Sequence, residues 1–193
     1  MTPDSTSAAT DHLRRDPVFA LVIERVGELA PLPPASSPFA SLVRSVIGQQ
    51  VSVKAADAIE RRVRELAPNL APHELAALPH EALRGAGLSN AKVRTVHELA
   101  HRTETGVLDI GALEGASEED VIAALSSIPG IGRWTAEMFL LFALGRPDVF
   151  SWGDGGIRRA VKALYGEDAG PEVSEAWRPY RSLASRYLWR FLS

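Results

Sequence analysis

Apolar residues in this chain recur at spacings of three and four between proline and glycine breaks, and no segment sustains the alternating pattern of a half-buried strand. Phe39, Leu42, Val43, Val46 and Ile47 form one such stripe. Ala56, Ile59, Val63 and Leu66 form another, and Val93, Val96 and Ala100 a third. Ile157, Val161 and Leu164 continue the pattern, and the chain ends on Tyr180, Leu183, Ala184, Tyr187, Leu188 and Phe191. Each stripe follows a residue suited to open a helix, such as Asp16-Pro17, Ser52 or Ser89, and stops at glycine, such as Gly48, Gly106 or Gly166. The expected fold class is therefore all-α.

With 193 residues, 46% of them hydrophobic, the chain can bury one good core or two small lobes. No apolar run approaches the roughly 18 residues that span a bilayer, and the N-terminus lacks a secretory pattern, so the expected location is cytoplasmic. The absence of cysteine excludes disulfides, thiolate metal sites and a cysteine-held iron–sulfur cluster. The five histidines lack zinc-site spacing, so no catalytic metal is expected. A net charge of −3 is not the footprint of a general nucleic-acid binder. Basic residues do cluster locally, at Arg84, Lys92, Arg94 and Arg102 and again from Arg158 to Arg190. Residues 1–15 are rich in Ser, Thr and Ala and read as a flexible tail. The proline-rich stretch from Pro31 to Pro38 reads as a connector.

One segment carries a specific chemistry. Ser117 to Asp120 opens an amphipathic helix through Val121, Ala124, Leu125 and Ile128, and Trp134, Met138, Leu141 and Phe142 define the next helix. Between them lies Ile128-Pro129-Gly130-Ile131-Gly132. Two glycines there let consecutive amides converge on an anion at the start of the second helix, which makes a phosphate grip of Gly130, Gly132, Arg133 and Thr135. Asp154 follows in Ser151-Trp152-Gly153-Asp154-Gly155-Gly156. The same residue suits the N-cap of a helix beginning near Gly155, and the two roles are compatible.

The order of these pieces, from Ile47-Gly48-Gln49-Gln50-Val51-Ser52 through Gly87-Leu88-Ser89 and the Pro-Gly-Ile-Gly corner to Asp154, resembles the helix-hairpin-helix (HhH-GPD) DNA glycosylase superfamily, over roughly residues 16–190. Within it the chain looks like the bacterial 3-methyladenine DNA glycosylase II branch, in a short form without the N-terminal β-rich domain of some relatives. The resemblance implies two helical lobes with a cleft between them: a central lobe over about 40–150 with the hairpin at 128–136, and a second lobe from about 16–38 plus 151–193. It makes Asp154 the catalytic carboxylate, stabilising an oxocarbenium-like sugar and directing water as an N-glycosidic bond breaks. Bifunctional members carry a lysine nucleophile where this chain has Trp134, so the expected enzyme is monofunctional and leaves an abasic site.

Alkylated bases such as 3-methyladenine and 7-methylguanine already carry positive charge. They need no general acid, and an aromatic surface favours them once flipped. Trp134, Trp152 and Tyr180 are the candidates, with core anchoring the alternative for Trp134. The family fills the vacated space from the turn matching Gly48 to Ser52. That points to Gln49, Gln50 and Ser52, with glutamine where a relative has leucine, unless the turn is merely solvated. The family hairpin also holds a monovalent cation, Na or K, through main-chain carbonyls that match Ser126, Ile128 and Ile131. The expected partner is double-stranded DNA with damaged bases, bound by a monomer with no required cofactor. The rival readings are a non-catalytic helix-hairpin-helix DNA-binding module and a glycosylase for mismatched or oxidised bases.

Overall fold

The computed structural model describes residues 3–33 and 35–193, so Met1, Thr2 and Pro34 lie outside it. Among the described residues there is no strand. The chain forms two compact units, one of Met1–Pro34 with Gly145–Ser193, the other of Ala35–Leu144.

The first unit takes its core from both ends of the sequence. Its helices are α1 (Pro3–Leu13), α2 (Pro17–Val26), α10 (Gly155–Tyr165) and α11 (Arg181–Phe191). Phe19, Val22 and Ile23 of α2 pack with Ile157, Ala160 and Val161 of α10, with Leu183, Ala184, Tyr187 and Leu188 of α11, and with the fully buried Trp177. The N-cap of α2 joins these pieces. One carboxylate oxygen of Asp16 accepts the Val18 and Phe19 amides at 2.9 and 3.2 Å. The other accepts the Tyr165 hydroxyl at 2.6 Å and the Trp177 indole N–H at 3.1 Å. Burial, reinforced by the Asp16 charge, raises the pKa of the Tyr165 phenol and keeps it a neutral donor.

The expectation of a flexible tail over residues 1–15 is corrected here. Residues 3–13 are helical, and Ala9 and Leu13 lie fully inside the core. Among the described side chains of this polar helix those two are the buried apolar ones, too sparse a stripe to stand out in the sequence. Burying Leu13 alone is worth roughly 1.5–3 kcal/mol.

The second unit is continuous in sequence. It contains α3 (Pro38–Gly48), α4 (Val53–Leu66), α5 (Pro72–Ala77), α6 (His80–Gly85), α7 (Asn90–Glu104), α8 (Glu118–Ser126) and α9 (Arg133–Met138). Ser37, Ser52, Ser89 and Ser117 each cap a helix by accepting an amide three residues on. Helix α3 is central: Leu42, Val43, Val46 and Ile47 are buried, and it packs against α4, α7 and α9. The stripe from Trp134 to Phe142 predicts one continuous helix. Instead α9 ends at Met138 and a π-helical turn follows over Phe139–Ala143, closed by the Leu144 amide on the Phe139 carbonyl at 3.0 Å. Such wide turns are frequent at functional sites. No helix among the described residues is long and apolar enough to cross a membrane.

Candidate functional site

The second unit presents two turns side by side. The first is the glycine corner between α8 and α9. Gly130 sits at φ +91, and a Cβ there would lie 2.1 Å from the Thr95 hydroxyl, so both backbone angle and space require glycine. The Ile131 amide closes on the Ile128 carbonyl at 3.0 Å, and Gly132 opens α9 with no side-chain cap. That leaves the amides and positive dipole of the helix start facing outward, the arrangement that attracts a phosphate.

The second turn, Gln49 to Ser52, joins α3 to α4. Its two glutamines diverge. Gln49 turns inward, donating from Nε2 to the Gly130 carbonyl at 3.0 Å and to the Thr135 hydroxyl at 3.1 Å. Gln50 is exposed at φ +56, in the left-handed region a non-glycine side chain rarely occupies. Val51 and Val53 beside it are exposed as well, Val53 at 75%. Ser52 spends its hydroxyl on the Ala55 amide.

Two sequence-predicted contact residues are engaged within the protein. Thr135 is 2% exposed, main chain included, and its hydroxyl accepts from Gln49, so it supports the corner from inside instead of facing an outside contact. Arg133 pairs with Glu119 at 2.7 Å and with the buried Glu137 at 3.0 Å, which neutralises much of its charge. The Arg133 guanidinium in turn holds the Glu119 carboxyl below the usual carboxylate range, chiefly by hydrogen bonding. Trp134 beside it is 39% exposed, so a large part of its ring faces out of the second unit.

Most of the basic cluster from Arg84 to Arg102 also turns to the protein's own acceptors. Arg84 donates to the Leu88 carbonyl, and Lys92 to the carbonyls of Ile47 and Gln49, both at 2.7 Å. Arg102 pairs with Glu98 at 2.7 Å, and His97 Nε2 lies 3.0 Å from the Leu78 carbonyl. Arg94 stays exposed. The C-terminal cluster behaves alike, with Arg178 and Arg181 on Asp148 and Arg186 on the Ala30 carbonyl.

In the first unit, Asp154 is half-buried as the N-cap of α10, its Oδ1 accepting the Ile157 amide at 2.9 Å. The same oxygen accepts the indole N–H of Trp189 at 3.0 Å. Two donors on one oxygen fix the carboxylate's orientation. Gly156 makes room: a Cβ there would lie 3.0 Å from Asp154 Oδ1 and 3.2 Å from the Trp189 ring. The preceding loop is held by Arg158, which donates to the Trp152 and Gly153 carbonyls at 3.2 and 3.0 Å. Trp152 is half-buried and stacks on Phe150, two residues from Asp154. Tyr180 packs its ring edge-on to His12 of α1. Trp189 was missed by sequence reasoning. Its signal, an aromatic on the C-terminal helix, is indistinguishable there from one more core residue.

Residues 43–182 match the model of the HhH-GPD superfamily base excision DNA repair proteins. The DNA-3-methyladenine glycosylase 1 of Schizosaccharomyces pombe is 34% identical over 163 residues, covering 79% of this chain and 72% of that one. A crystal structure of a DNA-3-methyladenine glycosidase from Bacillus halodurans superimposes with a TM-score of 0.79 at 40% identity, over 98% of this chain and 88% of the other. The Schizosaccharomyces pombe 3-methyladenine DNA glycosylase in complex with abasic DNA gives a TM-score of 0.85 at 32% identity, over 95% of both chains. The glycine corner, the turn at Gln49–Gln50 and Asp154 all fall within the matched span, and this chain belongs to the HhH-GPD superfamily of base excision DNA repair proteins.

Proposed function

We infer that this chain is a monofunctional DNA glycosylase that releases alkylated bases such as 3-methyladenine and 7-methylguanine from double-stranded DNA and leaves an abasic site. The observation that carries the reading is Asp154, a half-buried carboxylate held through one oxygen by the Ile157 amide and the Trp189 indole. It lies downstream of a glycine corner that offers Trp134 where a lyase would need an amine. Relatives named DNA-3-methyladenine glycosylases supply the substrate class.

In the reaction, the C1′–N bond breaks and its electron pair leaves with the base, discharging the positive charge that alkylation placed there. The oxocarbenium-like sugar is stabilised by Asp154. A water molecule adds to C1′ and its proton passes to the carboxylate. Trp152, with Tyr180 as a further candidate in the unit that carries Asp154, offers an electron-rich face to the cationic base before it departs. Gly130, Gly132 and the main chain at Arg133 hold the backbone phosphate, with Thr135 behind them, while Gln50 enters the space vacated by the flipped nucleotide.

No cofactor enters these steps. Were a Na or K ion held at the corner, the carbonyls of Ser126, Ile128 and Ile131 would hold it, and it would supply positive charge for a phosphate. Ile128 O accepts one amide, and a carbonyl oxygen has a second lone pair to offer. A monomer in the cytoplasm is sufficient for all of this.

Base release from methylated duplex DNA tests the reading. The native protein is expected to free 3-methyladenine, and Asp154→Asn to bind the same duplex without releasing base. Unchanged release by the variant would remove Asp154 from the mechanism. Preference for uracil or 8-oxoguanine would replace the alkylated-base assignment.

A further inference from the structure

We propose that Lys92 is a positioning residue that locks the Gln49–Ser52 turn to the glycine corner, so that phosphate capture and insertion at Gln50 occur as one event. This rests on the DNA reading above and deepens it.

The argument is local to the second unit. Lys92 lies in the first turn of α7, whose start is fixed by the Ser89 cap. Its ammonium donates to the carbonyls of Ile47 and Gln49, both at 2.7 Å, at the C-terminal end of α3, where the helix dipole is negative. Three residues on, along the same helix face, the buried Thr95 hydroxyl reaches the Pro129 carbonyl at 2.8 Å. Gln49 closes the triangle by donating to Gly130 O and Thr135 Oγ1. Helix α7 thus grips both turns, and the turns grip each other.

The ammonium is placed by its two hydrogen bonds to these carbonyls, and its partial burial there pushes the Lys92 pKa below the ordinary value. Gln50 is the residue that benefits. Its φ of +56 is unfavourable for a side-chain-bearing residue and persists only where its surroundings hold it. Gln49, immediately before it, is pinned at its carbonyl by Lys92 and at its side chain by the corner.

The experiment compares Lys92→Met with Gln50→Ala. Each is bound to an intact duplex and to one carrying a tetrahydrofuran abasic analogue, with 2-aminopurine opposite the analogue to report insertion. The expected result is that Lys92→Met binds the intact duplex within about twofold of the native protein but loses about tenfold on the abasic duplex. The 2-aminopurine response is expected to fall with it. Adding Gln50→Ala should then cost less than about twofold more, since the two act as a unit. Lys92→Arg, which retains the charge and donors, should recover part of the loss.

Equal losses on both duplexes, no loss on either, or multiplying effects of the two substitutions would overturn the proposal. Thr95→Val, which removes the contact of α7 with the Pro129 carbonyl, provides an independent arm if Lys92→Met does not fold, and must show the same selective loss. A native protein that does not prefer the abasic duplex would overturn the underlying DNA reading as well. Native preference with an unselective Lys92→Met removes only the locking role.

Discussion

At the scale of single residues, the proposed chemistry turns on how Asp154 is held. Its N-cap role and its catalytic role are not competitors. The Ile157 amide that makes it a cap also orients the carboxylate, and Trp189 adds a second donor to the same oxygen. Trp189→Phe keeps the ring and removes the N–H. A hydrogen bond to a charged group is worth about 1.5–3 kcal/mol, so single-turnover base release, assayed well below the melting temperature, is expected to slow by about tenfold to one hundredfold, while the melting temperature itself falls by several degrees. Unchanged release would mean that Trp189 only packs. Gly156→Ala tests the same shell by crowding, since its Cβ would meet Asp154 Oδ1 at 3.0 Å and the Trp189 ring at 3.2 Å. It is expected to slow release while leaving affinity for intact duplex within about twofold. The cap was readable in the sequence because glycines follow Asp154 and an apolar residue stands three places on. Trp189 was not, because a contact across 35 residues leaves no local pattern.

At the scale of elements, the hairpin was legible as two apolar stripes flanking a glycine corner, whereas the fate of its charges was not. Arg133 reads as a phosphate contact in one dimension. In the folded unit it bridges Glu119 and Glu137, a pairing that depends on how α8 and α9 are set against each other. The same holds for Lys92, which looks like part of a basic surface and is spent on the end of α3. Glu119→Gln should therefore loosen Arg133 and make its charge available to DNA. Duplex affinity is expected to rise modestly, with the salt slope steepening by about one ion. No change in slope would mean that Arg133 stays with Glu137. Acid works on the same pair with a definite sign. The Glu119 carboxyl is held below its ordinary value, so its pairing is complete above the usual carboxylate range and is lost as pH falls through the lowered value. The π-turn after Met138 was equally hidden, because Leu141 and Phe142 satisfy a 3.6-residue period whether the turn is α or π.

At the scale of the whole molecule, the two units differ in how the chain builds them. Ala35–Leu144 is contiguous, while the other unit joins Met1–Pro34 to Gly145–Ser193 and closes only when both ends have met. Its core depends on α1, the helix whose sparse stripe concealed it, and Leu13 is fully buried among α2, α10 and α11 residues. Leu13→Ala removes buried methyl groups and leaves a cavity, a change that costs about 2–5 kcal/mol. For a chain of this size that corresponds to a fall in melting temperature of roughly 5–15 °C if unfolding is cooperative throughout. Hydrogen exchange then separates two outcomes. If each unit is stabilised by its own core, amides of α10 and α11 lose protection by that amount while those of α3 and α7 keep theirs. Equal loss in α3 and α7 would show that the two cores melt together. Local loss would mean that Asp154, at the start of α10, rests on a less stable foundation than the glycine corner. In that case Leu13→Ala should reduce base release on warming well before it reduces binding to intact duplex.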